Sequence, residues 1–347
     1  MSNQPSSLVI NQPSDRNGCG YYRTILPFSY LTSIAKIDSP FFFLFNFDLT
    51  YLERANWLRF QRQVTQKQTD VILYYKELIQ KNNFKTKLSY EIDDLVHEIE
   101  PQNILAYQFY TKTRKDNMIK IMENCDVVTM STEFLKEYYK ENFNINNIKV
   151  VPNYIPKFLW ANCGKRDKYN KGKKLRILWA GSSSHVGKNG DLEFLIPLIE
   201  KTVDEFEWVF FGCAPFSIKN KVEFHEWQSF YNYPHALDNI NADIAICPIK
   251  DSIFNYAKSD LKLLEYTALG LPGIYSSVSG KGPYDLQKDS GICLVDNDID
   301  AWYNTIKTFE KDESERVEKL IAGQNCLEKR WLEDNIQTYI DIFGGNK

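Results

Sequence analysis

Short apolar runs recur along this chain, and between them apolar residues return every three or four positions. Runs at 7–11, 41–47, 70–74, 87–91, 125–130 and 148–151 read as strands. A helical pattern fits 24–34, and another helix starts at Ser131-Thr132-Glu133. After residue 153 the pattern restarts, with strands at 175–180, 208–212, 222–226, 243–248, 272–276 and 292–295. A helix opens near Asp191, another runs from Ser259 as N-cap to Gly270, and an amphipathic one covers 332–343. Strands alternating with helices predict parallel sheets, and two such blocks predict two α/β domains.

Composition changes this picture little. The 347 residues are 43% hydrophobic and 25% charged, as expected for a soluble globular protein with two cores. No apolar run approaches the ~18 residues of a membrane span, and residues 1–7 are too polar for a secretory signal. Seven scattered cysteines without metal-ligand spacing point to a cytoplasmic location. Charge is more informative. The net charge is −3, yet residues 157–176 hold eight basic residues and one acidic one. Lys165, Arg166 and Lys168 lie there, interleaved with Phe158, Trp160 and Tyr169, a pattern that suits either a polyanion or a solvated loop. Lys112, Arg114, Lys115 and Lys120, with Arg54, Arg59 and Arg62, add basic residues to the first block.

Four segments carry candidate chemistry. In the helix that follows Ser259, Leu261, Leu264 and Ala268 share one face, and Lys262 and Glu265 are three apart. They are either a surface pair or a phosphate and ribose grip at a helix N-terminus. Gly181, Ser182 and Ser183 form a strand-to-helix turn whose amides and hydroxyls can coordinate a phosphate, with His185 and Lys188 to compensate its charge. Gly18-Cys19-Gly20 makes a close-approach turn after the first strand, leading to Arg23. Asp93, Asp94 and His97 follow another strand. The two carboxylates lack a visible third metal ligand, and Asp94 and His97 can instead touch sugar hydroxyls or the acceptor nucleophile.

The run Leu264-Glu265-Tyr266-Thr267-Ala268-Leu269-Gly270-Leu271-Pro272 resembles the donor-binding helix of retaining GT-B glycosyltransferases. The resemblance implies two Rossmann-like domains facing a cleft, with a last helix that returns to the first. The expected domains are 1–152 plus about 330–347 on the acceptor side, and 153–329 on the donor side. It implies a nucleotide-sugar donor, UDP-linked by preference, and no metal or other cofactor. Carried over, Glu265 grips the ribose, while Leu261 and Lys262 face the diphosphate with Gly181, Ser182, Ser183, His185 and Lys188. Family members carry a second Glu eight residues before Glu265; here that position is Ala257, with Lys258 and Asn255 as replacements. Gly20, Asp94 and His97 map to the reaction centre, and Arg23 to the acceptor side. The Asn17-to-Arg23 loop also resembles tailed-phage DNA arabinosyltransferases that act on 5-hydroxymethylcytosine. Double-stranded DNA gripped by Arg23, Lys165, Arg166 and Lys168 is the leading acceptor. A surface polysaccharide or lipid-linked sugar, or a non-catalytic binding protein, are the alternatives.

Overall fold

The computed structural model describes residues 7–41, 48–164, 173–186 and 190–344. The chain forms two compact units. The first comprises Met1–Glu98, Gln108–Tyr154 and Leu332–Lys347, and the second Ile99–Tyr107 and Ile155–Trp331. The excursion Ile99–Tyr107 has no signal in the hydropathy pattern.

The first unit holds a six-stranded parallel sheet: β1 (Ser7–Gln12), β2 (Ile37–Asp38), β3 (Trp57–Gln61), β4 (Lys87–Ile92), β5 (Val127–Met130) and β6 (Ile148–Val150). Their order is β2-β1-β3-β4-β5-β6. The strand expected at 70–74 is instead part of a helix, Gln66–Asn82. Its apolar run looks strand-like, but Thr65 and Gln68 form a capping box that starts the helix. Thr69, Ile72 and Tyr75 then bury one face at spacings of three. Two strands are absent from the hydropathy pattern, β3 and the two-residue β2. In β3 the reason is polarity. Its polar residues Arg59 and Gln61 are 2% and 0% exposed, so it is buried on both faces without being apolar.

That polarity feeds a buried network. Arg23 and Arg59 share the Glu91 carboxylate, at 2.6 and 2.9 Å. Arg23 also donates to the Val151 carbonyl (2.6 Å) and Asn153 Oδ1 (2.8 Å), and Arg59 to Thr24 Oγ1 (2.6 Å). Burying a guanidinium is tolerable only with such pairing. The predicted loop before Arg23 is helical: a Gly18–Gly20 turn, a wide π turn at Tyr21–Ile25, then Leu26–Ser33. Of the strand expected at 41–47, Phe41 bridges to Asn11, and 42–47 lie outside the described residues. The last helix spans Gln337–Phe343, shorter than expected, and belongs to the first unit. Phe343 meets Phe28 and Trp57 edge-on, each at 5.4 Å, and Tyr339 meets Phe28 at 5.8 Å.

The second unit holds β7 (Arg176–Ala180), β8 (Glu207–Gly212), β9 (Glu223–Glu226), β10 (Ile244–Cys247), β11 (Gly273–Ser277) and β12 (Cys293–Asp296). All pairs are parallel, in the order β12-β11-β10-β7-β8-β9. Trp208, Phe210, Trp302, Ile306 and Phe309 fill its core. The order runs outward in opposite directions from the β7/β10 junction, and in the first unit from β1/β3. Such junctions leave a crevice at the carboxyl ends of the strands, where open α/β sheets bind ligands. No helix among the described residues is long and apolar enough to cross a membrane.

Candidate functional site

The β7/β10 junction gathers most of the candidates. Gly181 packs on the Trp179 ring, and its amide donates to the Phe211 carbonyl at 3.1 Å, so that amide is already engaged. Ser182 and Ser183 are exposed, and Ser183–His185 forms a single turn. His185 Nδ1 lies 2.5 Å from Asp191 Oδ2. Asp191 is the hub: its Oδ1 also accepts from the Lys250 amide (2.7 Å) and Asn255 Nδ2 (2.8 Å), and Lys258 Nζ is 3.9 Å away. Burial alone would raise the Asp191 carboxyl, but Lys258 and His185 hold it well below the usual carboxylate range. Burial lowers the His185 pKa, and Lys258 lowers it further. Both effects disfavour the charged ring that the phosphate-compensating role expected from sequence would use, while the ionised Asp191 beside Nδ1 favours it. Asn255 supports Asp191. Ala257, at the position of the missing glutamate, is fully buried.

The Glu265 helix spans Leu261–Ala268, and its N-cap is Asp260, not Ser259. The Asp260 side chain makes no hydrogen bond to the first turn. The Asp260 carboxylate is instead held by Arg330 (2.9 and 3.1 Å) and Gln287 (3.0 Å). The Leu263 and Leu264 amides of the first turn donate to the Asp260 backbone carbonyl (2.9 and 3.4 Å) and not to its side chain. Tyr266 anchors the helix to both junction strands, accepting from the Ala180 amide (3.2 Å) and donating to the Ile246 carbonyl (3.3 Å). Residues 263–269 are buried all round, while Leu261 and Lys262 are half-buried. Lys262 and Glu265 are not a surface pair: Glu265 is 2% exposed, and its Oε2 accepts from Lys262 Nζ (2.6 Å) and the Tyr233 hydroxyl (3.1 Å). Lys262 also donates to the Tyr233 oxygen at 2.8 Å. Burial opposes the Lys262 charge, but Glu265, with Tyr266 adding, offsets it and raises the ammonium pKa. A cavity of about 520 Å³ opens elsewhere on this helix, against Thr267, Ala268, Trp160 and Glu328, and does not include Glu265.

The β1/β3 junction holds the first-unit candidates. Gly20 is required by a close approach: a Cβ there would lie 2.0 Å from the Asp15 carbonyl oxygen. Asp15 Oδ1 accepts from the Gly20 amide at 3.0 Å and caps the turn. Arg62, at φ +52°, donates to Asp93 (2.7 Å) and Asp94 (2.5 Å). Atoms of Cys19, Asp93 and Asp94 lie within 4.8 Å of one another, but the Arg62 guanidinium already engages both carboxylates. Burial raises the Cys19 thiol well above its usual value, which disfavours a thiolate ligand. Asp94 keeps about a third of its side chain exposed. His97 is drawn away into packing with Phe143 (4.5 Å) and accepts or donates at Nδ1 with the Tyr139 hydroxyl (3.0 Å).

Two expectations need correction. Arg23, expected to grip the acceptor, is 2% exposed and its guanidinium is committed to Glu91, Val151 and Asn153. Arg59 and Arg62 are likewise held in buried or half-buried ion pairs, leaving only Arg54 of that trio exposed. Lys165, Arg166, Lys168 and Lys188 lie outside the described residues. Sequence reasoning missed Asp191, Tyr233 and the Asp260–Arg330 pair. Asp191 sits in a Gly-Asp step before a helix, which signals a cap. Tyr233 and Arg330 reach the site only through tertiary packing.

No protein-family model matches the chain. Over 202 residues it is 26% identical to TuaH of Bacillus subtilis (strain 168), a protein named provisionally as a teichuronic acid biosynthesis glycosyltransferase. The match covers 53% of this chain and 48% of TuaH, so the chain spans about half the length of that relative. Solved structures resemble the whole chain. HepE of Anabaena with UDP-glucose superposes with TM-score 0.66 at 12% identity, covering 97% of this chain and 99% of that one. An α-glucosyltransferase in complex with UDP and DNA containing a hydroxymethyluracil base gives 0.65 at 13%, covering 98% and 100%. Sucrose-phosphate synthase of Thermosynechococcus elongatus gives 0.64 at 13%, covering 97% and 99%. With two six-stranded parallel sheets flanked by helices, the chain has the two-domain α/β GT-B fold of these glycosyltransferase structures.

Proposed function

We propose that this protein is a glycosyltransferase that moves a sugar from a UDP-sugar to an acceptor hydroxyl, with retention at the anomeric carbon and without a metal. The observation that carries the reading is the Lys262–Glu265–Tyr233 cluster beside a helix N-terminus from which the Asp260 carboxylate is turned away, at the carboxyl edge of the second sheet. A buried carboxylate suits a ribose diol, since it accepts two hydrogen bonds at once. The Lys262 ammonium and the positive end of the helix dipole suit the diphosphate, on which negative charge grows as the glycosidic bond breaks. The exposed hydroxyls of Ser182 and Ser183 stand at the neighbouring strand end. Structural neighbours solved with UDP and UDP-glucose support the donor class.

For the acceptor, hydroxymethylated cytosine in duplex DNA is our reading, with Asp94 as the half-buried carboxylate that meets the incoming hydroxyl. The DNA-bound α-glucosyltransferase neighbour supports it, as does the basic stretch 157–176. The TuaH match favours a second reading, a surface polysaccharide acceptor. Incubation with radiolabelled UDP-sugars, followed by hydroxymethylated duplex, plain duplex or polysaccharide, separates them. Label on the hydroxymethylated duplex alone is the expected result. Neither transfer nor donor hydrolysis with any sugar nucleotide would leave a binding protein instead.

A further inference from the structure

Six of the seven tryptophans are buried, at 7% exposure or less; Trp227 alone is open to solvent, at 43%. It follows β9 directly. Its ring stacks on Tyr233 at 4.8 Å with planes 27° apart, and Phe211 meets it edge-on at 6.2 Å. The Tyr233 hydroxyl is the one that donates to Glu265. An open indole thus leans on the residue that holds the candidate ribose carboxylate. The backbone beneath is shaped to allow this. Gly212 has φ +91°, and a Cβ there would lie 2.6 Å from the Gly181 oxygen and 3.1 Å from Trp227 Cε3. Only glycine lets the Gly181 turn and the Trp227 ring close on one another.

We infer that Trp227 is the platform on which the planar nucleobase of the donor stacks, and that Tyr233 couples base capture to the Glu265–Lys262 grip. The inference rests on the donor reading above. Exposing a large aromatic ring to water is unfavourable, and a base covers it while every polar edge of that base stays free to bond elsewhere. Tyr233 cannot shift without disturbing both hydrogen bonds at its oxygen, so a seated base steadies the carboxylate that meets the ribose.

The test is titration of the full chain with UDP, uridine and inorganic pyrophosphate, by calorimetry and by tryptophan emission with acrylamide. Since Trp227 is the exposed indole, UDP and uridine are expected to shield emission from acrylamide and pyrophosphate is not. Trp227→Ala is expected to weaken UDP and uridine roughly 5- to 150-fold and leave pyrophosphate unmoved. Trp227→Phe is expected to keep most of the affinity while abolishing the acrylamide-sensitive signal. UDP binding with unchanged acrylamide access in the wild type would overturn the inference, even if the alanine variant does not fold. Full UDP affinity in Trp227→Ala would overturn it too. If the wild type binds none of the three ligands, the donor reading itself fails.

Discussion

Glu265 combines near-complete burial with two donors on a single carboxylate oxygen. Replacing it with glutamine leaves Lys262 charged and half-buried without its counter-ion, and removes the ribose acceptor. Hydrogen bonds to charged groups contribute about 1.5–3 kcal/mol each, so kcat/KM for a UDP-sugar should fall at least about 10- to 100-fold. Wild-type turnover in Glu265→Gln would end the donor assignment. His97 gives a separate test, by pH. Burial, with Lys115 adding, lowers its pKa from 6.5 to about 4, so the folded ring is neutral where the unfolded ring is protonated. Between those values the unfolded state binds more protons, so stability is full above pH 6.5 and falls as pH drops toward 4. The loss amounts to up to about 3 kcal/mol. Urea titrations at pH 5 and 7 should show that slope in the wild type and a shallower one in His97→Gln.

The helix that carries Glu265 owes its open N-terminus to a diverted cap. Asp260 would ordinarily turn its carboxylate onto the first-turn amides; Arg330 and Gln287 hold it elsewhere. Arg330→Gln should free that carboxylate to compete with a diphosphate, weakening UDP on the order of tenfold while sparing uridine. The double variant Asp260→Asn/Arg330→Gln should recover the loss. Calorimetry decides, and equal losses for UDP and uridine would show a purely structural role. At this scale the second unit was legible to within about two residues per strand, because its strands, the edge strand β9 apart, are mostly apolar and its turns polar. The first unit was not. In β3, Arg59 and Gln61 mimic solvent-facing positions while pairing inside, and 70–74 mimics a strand within a helix. The sequence marked Glu265 and Lys262 through a local motif. It held no mark of Tyr233, Arg330 or Trp227, whose parts in the site come from contacts between separate elements.

Across the whole molecule, the first unit is closed by the final helix. Phe343 is fully buried against Phe28 and Trp57, and the Arg59 guanidinium lies over its ring at 5.8 Å. Phe343→Ala should cost about 3–5 kcal/mol in the first unit, read by urea unfolding. A chain ending at Trp331 should lose that unit's cooperative transition in calorimetry and keep the second unit's. A single transition at the wild-type temperature would refute this division. The split also has a bearing on biosynthesis. By the time the ribosome has added Trp331, every segment of the second unit exists, whereas the first, begun earlier, still awaits its closing helix. The half that starts emerging first must therefore finish after the second, holding Phe28 and Trp57 uncovered until residues 337–343 have been added. A premature stop near the end would strand it in that sticky, chaperone-dependent condition.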